Sequence, residues 1–344
     1  MLESSQMKEV LLYKKLEREN IQCLTCAHGC FVLPGKRGIC GMRENIDGHL
    51  FVLNYGKAVA CNIDPIEKKP LFHFLPGTSS LSIAAAGCNL ICSNCQNYDL
   101  SQGCKTLTEV PGKEMTPEEV VKMALKNKVP SISYTYTEPT VFLEYALDIM
   151  KLAKKAGLKN VWVSNGFMSK ESAELVIPLL DAANIDIKGF TEEFYRQNCG
   201  AHLEPVLETC KMMKKAGVWL EITTLAIPKK SDSPEMFKKI AKFIKRELGE
   251  ETPWHISQFS GAISWKLQNL PDTPIKNLKS AYKIGKDAGL KYVYTGNIPG
   301  LDSENTFCPK CNELCIQRAG YKISDLSQNG ECPKCKTKLN IIYK

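Results

Sequence analysis

Leu81-Ser82-Ile83-Ala84-Ala85-Ala86-Gly87, followed at once by Cys88-Asn89-Leu90-Ile91-Cys92-Ser93-Asn94-Cys95-Gln96-Asn97, is the stretch that decides how this chain folds. Its first six residues read as a buried strand, and Gly87 breaks it. The cysteines then stand in a C-x3-C-x2-C spacing on one loop. Three thiolates this close can cap three irons of a cubane cluster, which normally takes four cysteines. One iron is then open to a ligand that is not protein. The loop also follows the carboxyl end of a strand, where parallel α/β folds place their chemistry. The alternative is a zinc site completed by a distant fourth ligand, but structural zinc sites usually pair C-x2-C knuckles.

Outward from this loop, the middle of the chain repeats one unit. Helical patterns end in Lys154-Lys155-Ala156-Gly157, Lys214-Lys215-Ala216-Gly217 and Lys286-Asp287-Ala288-Gly289, each followed by an apolar run. Lysine in a last turn suits the negative end of the helix dipole, and glycine supplies the left-handed residue that ends the helix. Thr116-Pro117-Glu118-Glu119 is a capping box, and Ser233-Pro234 opens another helix. Residues 81–86, 131–136, 161–164, 185–187, 220–225, 254–258 and 292–295 are the expected strands. Strands alternating with helices imply parallel β-α units. A doubly wound open sheet and a full or partial barrel both fit this pattern.

The 344 residues are 44% hydrophobic and 24% charged, ordinary for a soluble globular protein. Lysine and arginine exceed aspartate and glutamate by 45 to 37, an excess that suits a solvated surface and does not demand nucleic acid. The first 22 residues are polar, and no stretch approaches the length of a membrane span, so a cytoplasmic protein without a membrane partner is expected. In such a protein 16 clustered cysteines point to metal or iron–sulfur ligation and not to disulfides. They divide the chain into a Cys-rich segment (1–76), a central α/β domain (77–300) and a short tail (301–344).

The central motif resembles the signature of the radical-SAM superfamily, and Cys95-Gln96-Asn97 is similar to the C-x-N of the branch containing pyruvate formate-lyase activating enzyme. The resemblance implies an α/β fold of the partial (β/α)6 barrel type. It also implies a [4Fe–4S] cluster on Cys88, Cys92 and Cys95, whose free iron is chelated by S-adenosylmethionine. Reductive cleavage of that cofactor gives methionine and a 5′-deoxyadenosyl radical that abstracts hydrogen; the protein positions the cofactor and excludes competing reactions. Thr137-Glu138-Pro139 stands where the family has Gly-Gly-Glu-Pro, so Glu138 is expected to hold the methionine ammonium group by a charge-assisted hydrogen bond. Tyr136 and Thr137 replace the two glycines. Ser164-Asn165-Gly166 resembles Thr-Asn-Gly and makes Asn165 a cofactor contact. Asp186-Ile187-Lys188 resembles Asp-x-Lys, with Lys188 suited to the methionine carboxylate. Trp254-His255 resembles a penultimate-strand Trp-His, which adds His255 to the cofactor-binding set.

Two further cysteine sets flank this core. Cys23, Cys26, Cys30 and Cys40, with His28 nearby, can bind zinc in a closed tetrahedral site or a second iron–sulfur cluster for electron relay. This pattern, with residues 64–71 and Phe72-His73-Phe74, resembles the radical-SAM protein of the AmmeMemoRadiSam system. Read without that resemblance, Phe72-His73-Phe74 is a packed turn. Cys308-x2-Cys311 and Cys332-x2-Cys335 form a ribbon pattern for a structural metal, preferably zinc, since so short a segment buries too little core without one. Cys61, Cys104, Cys199 and Cys210 have no motif spacing, and buried thiols are the default for them.

The implied function is a radical-SAM enzyme of the activating-enzyme-like oxidoreductase kind, acting on a peptide, a nucleic-acid base or a small molecule. Its partners are S-adenosylmethionine, a one-electron donor such as flavodoxin or ferredoxin and, in a glycyl-radical activase, a protein substrate. The reading from another class is a non-catalytic iron–sulfur or zinc module that binds nucleic acid or protein. Glu138, Asn165 and Lys188 argue against it, because a scaffold needs no amino-acid-binding groups at strand ends.

Overall fold

The computed structural model describes residues 7–298, 300–327 and 329–344. Met1 to Gln6, at the head of the polar N-terminus, and Pro299, at the expected end of the middle segment, lie outside the described residues. Each of the seven expected strands is present: β1 (Ser79–Ala85), β2 (Ser131–Tyr134), β3 (Lys159–Ser164), β4 (Ala182–Asp186), β5 (Trp219–Ala226), β6 (Trp254–Gln258) and β7 (Val293–Gly296). All pair in parallel and in chain order. A doubly wound sheet reverses its strand order at a switch point, so the unbroken order selects the barrel. The two edges of the sheet do not pair with each other, which leaves the barrel partial. On the far side of β1 the strand Lys57–Pro65 adds in antiparallel fashion and is followed by Lys113–Glu114. The sheet therefore runs across the boundary expected at residue 76.

The helices between the strands are α1 (Pro117–Lys126), α2 (Leu143–Lys155), α3 (Lys170–Val176), α4 (Glu204–Lys215), α5 (Pro234–Phe243) and α6 (Ile275–Asp287). Thr116 and Glu119 close the capping box of α1, and Ser233 caps α5 with Pro234 in the first turn. Gly157, Gly217 and Gly289 follow their helices with φ of +76°, +81° and +91°. Strand periodicity of two sorts the side chains. Leu81, Ile83, Ile132, Trp162, Ile185, Ile222 and Ile256 pack in the main core. The alternate positions turn to the concave face and are small or polar. Ser80 and Ser133 share a hydrogen bond of 2.6 Å there, and Asn184 Nδ2 donates to the Pro70 carbonyl at 2.7 Å.

Phe72-His73-Phe74 is a packed turn that forms the floor of this concave face. The Phe72 and His73 amides donate to the Glu221 carboxylate at 3.0 and 2.9 Å. His73 is fully buried: Nδ1–H donates to the Asn340 carbonyl at 2.6 Å, and Nε2 pairs with the Tyr294 hydroxyl at 2.5 Å. The tail adds to the floor through the Phe74–Ile342 bridge and through Arg318, whose guanidinium lies 4.2 Å from the Phe72 ring centre. Burial pushes His73 down from 6.5 to about 4. The unfolded chain therefore binds a proton that the fold refuses, and stability falls as pH drops from 6.5 toward 4. This one group is expected to remove about 3 kcal/mol between pH 7 and pH 4. Denaturant unfolding at both pH values should show a shallower fall in His73→Asn than in wild type. An equal fall in both would remove His73 as the cause.

The tail is a small antiparallel sheet of Thr306–Phe307, Leu314–Ala319 and Lys322–Asp325 with two matching cysteine knuckles. In each, the first cysteine's carbonyl accepts from the residue four on (Asn312 or Lys336), which takes a φ of +58°. The N-terminal segment forms two three-stranded antiparallel sheets. It is tied to α2 by the buried Arg43–Glu144 ion pair at 3.0 Å. Among the described residues, no helix is long and apolar enough to cross a membrane.

Candidate cofactor cleft

The carboxyl ends of the strands open into a cleft of about 530 Å³. Cys88, Cys92 and Cys95 line it from the loop after β1, Glu138 from the end of β2, Asn165 from β3, and Asp186 and Lys188 from β4. Four separate loops or strand ends thus bring seven of the expected residues to one place. His255 is not among them. It is the second residue of β6, two before the cleft-lining Ser257, so its side chain points one layer deeper. There its Nε2–H donates to Glu221 at 2.6 Å and its ring stacks on Tyr294 at 5.2 Å. Burial works to raise Glu221, but His255 and the amides of the floor outweigh it and hold the carboxylate below its ordinary range. His255 belongs to the floor and does not line this cleft.

Gly87 must be glycine. Its φ is +100°, and a Cβ there would lie 2.4 Å from Met42 Cγ and 3.2 Å from the Cys40 carbonyl oxygen. The cysteine loop beyond it is held by backbone and amide bonds. Ile91 N donates to the Cys199 carbonyl and Ser93 N to that of Asn198, both at 2.9 Å. Trp265 N donates to the Cys95 carbonyl at 3.0 Å, and Lys266 N to that of Ser93 at 2.8 Å. Asn198 Nδ2 adds a bond to Asn94 Oδ1 at 2.8 Å. None of these braces has a motif, because each is a contact between loops far apart in sequence.

Glu138 is buried, and its carboxylate is fixed from both sides. Oε1 accepts from Thr140 N, Thr140 Oγ1 and Ser164 Oγ at 3.0, 2.6 and 2.8 Å, whereas Oε2 accepts only from Asn165 N at 2.9 Å. A carboxylate has about four lone-pair sites, so Oε2 keeps capacity for a cation from the cleft. Burial raises the pKa of Glu138 against the pull of these donors. Lys188 pairs with Asp186 at 2.7 Å. Burial works against its ammonium, but Asp186 and the facing Cys92 thiol more than offset that, so its pKa stands well above the ordinary lysine value. One of three ammonium donors is used on Asp186, leaving two for an anion. Burial also raises the thiols of Cys88 and Cys95, while for Cys92 a hydrogen bond with Cys199 comes before burial.

Asn165 acts on the loop. Its Nδ2 donates to Asn89 Oδ1 at 2.8 Å and lies 3.8 Å from Cys88 Sγ, and its Oδ1 accepts from Phe167 N at 2.8 Å. Loss of such an outer-shell partner typically costs roughly 10–100-fold in metal-centre activity. With the cluster that the resemblance implies on Cys88, Cys92 and Cys95, Asn165→Ala is expected to retain iron close to wild type, broaden the electron paramagnetic resonance signal and lose turnover in that range. Wild-type spectra and rates would remove Asn165 from loop positioning.

A second polar group at the cleft escaped the sequence reading. Asp64 accepts from Lys68 at 2.8 Å, Lys69 at 2.7 Å and Ser82 at 2.6 Å, and from the Tyr136 hydroxyl. Lys69 is only 1% exposed, and its ammonium lies 4.8 Å from the Tyr136 ring centre. Tyr136 takes a φ of +65°, at one of the two positions where the resemblance expects glycine. Tyr321, from the tail, reaches the same cleft.

Sulfur spacing distinguishes the cysteine sets. Four thiolates on one tetrahedral zinc stand about 3.8 Å apart, from a Zn–S bond near 2.3 Å. Among the described residues, Cys308, Cys311, Cys332 and Cys335 are the one group whose ligand atoms lie within 4.8 Å of one another, with Cys308–Cys335 at 3.6 Å and Cys311–Cys332 at 3.5 Å. Hydrogen bonding from Thr337 holds the Cys335 thiol down to about 6, the direction a metal ligand needs. The tail quartet fits a single ion. Cys88, Cys92 and Cys95 do not gather their sulfurs within that distance.

Residues 82–244 match the Radical SAM superfamily. The uncharacterized protein MJ0808 of Methanocaldococcus jannaschii is 45% identical over 96% of this chain and 97% of its own length. The pyruvate formate-lyase-activating enzyme of Clostridium pasteurianum is 28% identical over 49% of this chain and 72% of that enzyme. A radical SAM methyltransferase from Sphaerobacter thermophilus superposes with a TM-score of 0.48 at 10% identity, over 64% of this chain and 67% of that one.

Proposed function

Because this chain belongs to the radical SAM superfamily, we propose that its cleft binds a [4Fe–4S] cluster and S-adenosylmethionine and presents them to a hydrogen-donating substrate. Bound together and reduced, the two supply a 5′-deoxyadenosyl radical and methionine. The observation that carries the reading is the convergence of three widely set thiols, the free lone pairs of Glu138 Oε2 and the spare donors of Lys188 on one cleft. Cys88, Cys92 and Cys95 hold three corners of the cluster. Glu138 Oε2 receives the cofactor's ammonium group, and Lys188, steadied by Asp186, its carboxylate. Asn165 keeps the loop in register with Glu138. The end of the cleft lined by Lys68, Lys69, Tyr136 and Tyr321 receives the substrate, a peptide, a nucleic-acid base or a small molecule, and excludes water from the radical. A low-potential one-electron donor of the flavodoxin or ferredoxin type supplies the electron, and zinc fills the tail quartet.

The test is anaerobic: iron and sulfide are loaded, the protein is reduced, S-adenosylmethionine is added, and 5′-deoxyadenosine is measured by chromatography. Product formation is the expected result. A loaded cluster that neither cleaves the cofactor nor changes its spectrum on addition would end the enzyme reading in favour of a binding module. Similarity to the Clostridium pasteurianum activating enzyme supports a second reading, installation of a glycyl radical on a partner protein. That version requires a stable glycyl doublet in the partner's paramagnetic resonance spectrum.

A further inference from the structure

The N-terminal cysteines converge on a cavity that the reading above does not use. Cys23, Cys26, Cys30 and Cys40 line one small cavity together with His28 and Arg43. Cys23 and Cys40 are buried and Cys26 and Cys30 half-buried, and the four thiols stand close enough to act on one another electrostatically. They are nevertheless set wider than the tail quartet, which alone among the described residues gathers its sulfurs within 4.8 Å. A zinc ion needs no cavity beyond the gap between touching sulfurs. A cubane needs a wider spread, since each thiolate reaches its own iron. Thr25, Asn89, Thr140 and the buried Arg43, itself paired with Glu144, line the cavity beside apolar Ile39 and Val141.

The cavity also backs onto the loop of the first cluster. His28 Nε2–H donates to the Asn89 carbonyl at 2.7 Å, between Cys88 and Cys92 in sequence. Asn89 itself lines the cavity. The Cys40 carbonyl lies against Gly87, the residue before Cys88. The backbone of Cys26 bridges Met168, on the loop after β3 that carries Asn165.

We propose that Cys23, Cys26, Cys30 and Cys40 hold a second iron–sulfur cubane, ligated by all four thiols and so without an open iron, back to back with the loop of Cys88, Cys92 and Cys95. This inference rests on the N-terminal cavity and stands without the radical reading.

The full chain is loaded anaerobically with iron and sulfide, and its iron, sulfide and zinc are counted beside paramagnetic resonance spectra. Wild type is expected to hold about eight irons, four for each cubane. Cys88→Ala/Cys92→Ala/Cys95→Ala, which leaves the N-terminal site intact, should keep about four irons and a cubane signal that S-adenosylmethionine does not shift. Cys26→Ser/Cys30→Ser should also keep about four, with a signal the cofactor does shift. The doubly reduced wild type should show spin–spin broadening that neither variant shows. An iron-free triple variant carrying a second zinc would overturn the cluster assignment, and a wild type with both clusters and no broadening would overturn their back-to-back placement. Eight irons whose signals all ignore S-adenosylmethionine would end the proposed function while supporting the second cluster.

Discussion

5′-Deoxyadenosine production disappears in Cys88→Ala/Cys92→Ala/Cys95→Ala, while the tail keeps its metal. The three thiols are the only protein ligands that the cleft offers to the cluster in the proposed reading, so removing them removes the centre and not merely its tuning. The variant should stay folded. Its loop is braced through the backbone of Asn198, Cys199, Trp265 and Lys266, and none of those bonds uses a cysteine side chain at 88, 92 or 95. Chromatography of the product, zinc content and a thermal melt read the three consequences separately. Product at wild-type levels from a folded variant would refute the assignment of the centre to this loop.

Glu144→Ala should lower unfolding free energy by about 3–5 kcal/mol, the usual cost of breaking a buried ion pair from one side. The two side chains are 2% and 0% exposed. Arg43 also donates to the Val141 carbonyl at 2.8 Å and to Thr25 Oγ1 at 3.1 Å, but only Glu144 carries a counter-charge. Its loss leaves a guanidinium stranded in the interior and takes the acceptor of Leu11 N as well. Arg43→Met/Glu144→Leu should recover much of the stability, because no charge is then left unpaired. Denaturant titration of the three proteins decides it. A single variant within about 1 kcal/mol of wild type would show that this pair does not anchor the N-terminal sheets.

The seven strands were legible because each is a buried run bounded by helix-ending glycines or loop residues, and burial is what a parallel strand demands. The cysteine loop was legible from spacing alone. Depth along a strand was not. His255 and Ser257 point to the same side of β6, and only the pairing of β6 with its neighbours decides which reaches the cleft and which the floor. The Asp64–Lys69–Tyr136 group was hidden for a related reason. Asp64 and Lys69 stand at the end of Lys57–Pro65 and just after it, and they meet Tyr136 only once that strand has joined β1. Phe72-His73-Phe74 could be read as a packed turn, but not its partners, since Asn340 is 267 positions away.

That last separation bears on the order in which the molecule assembles. Contacts so distant in sequence form late, after the entropy of closing a long loop has been overcome. The helices and strands of the barrel can pair through neighbours, but His73 keeps an unsatisfied ring nitrogen until Asn340 arrives. Asn340 follows closely on the second knuckle, whose shape the zinc proposed for the quartet would fix. With zinc in that quartet, as proposed, a metal far from the cleft would govern when the interior is sealed.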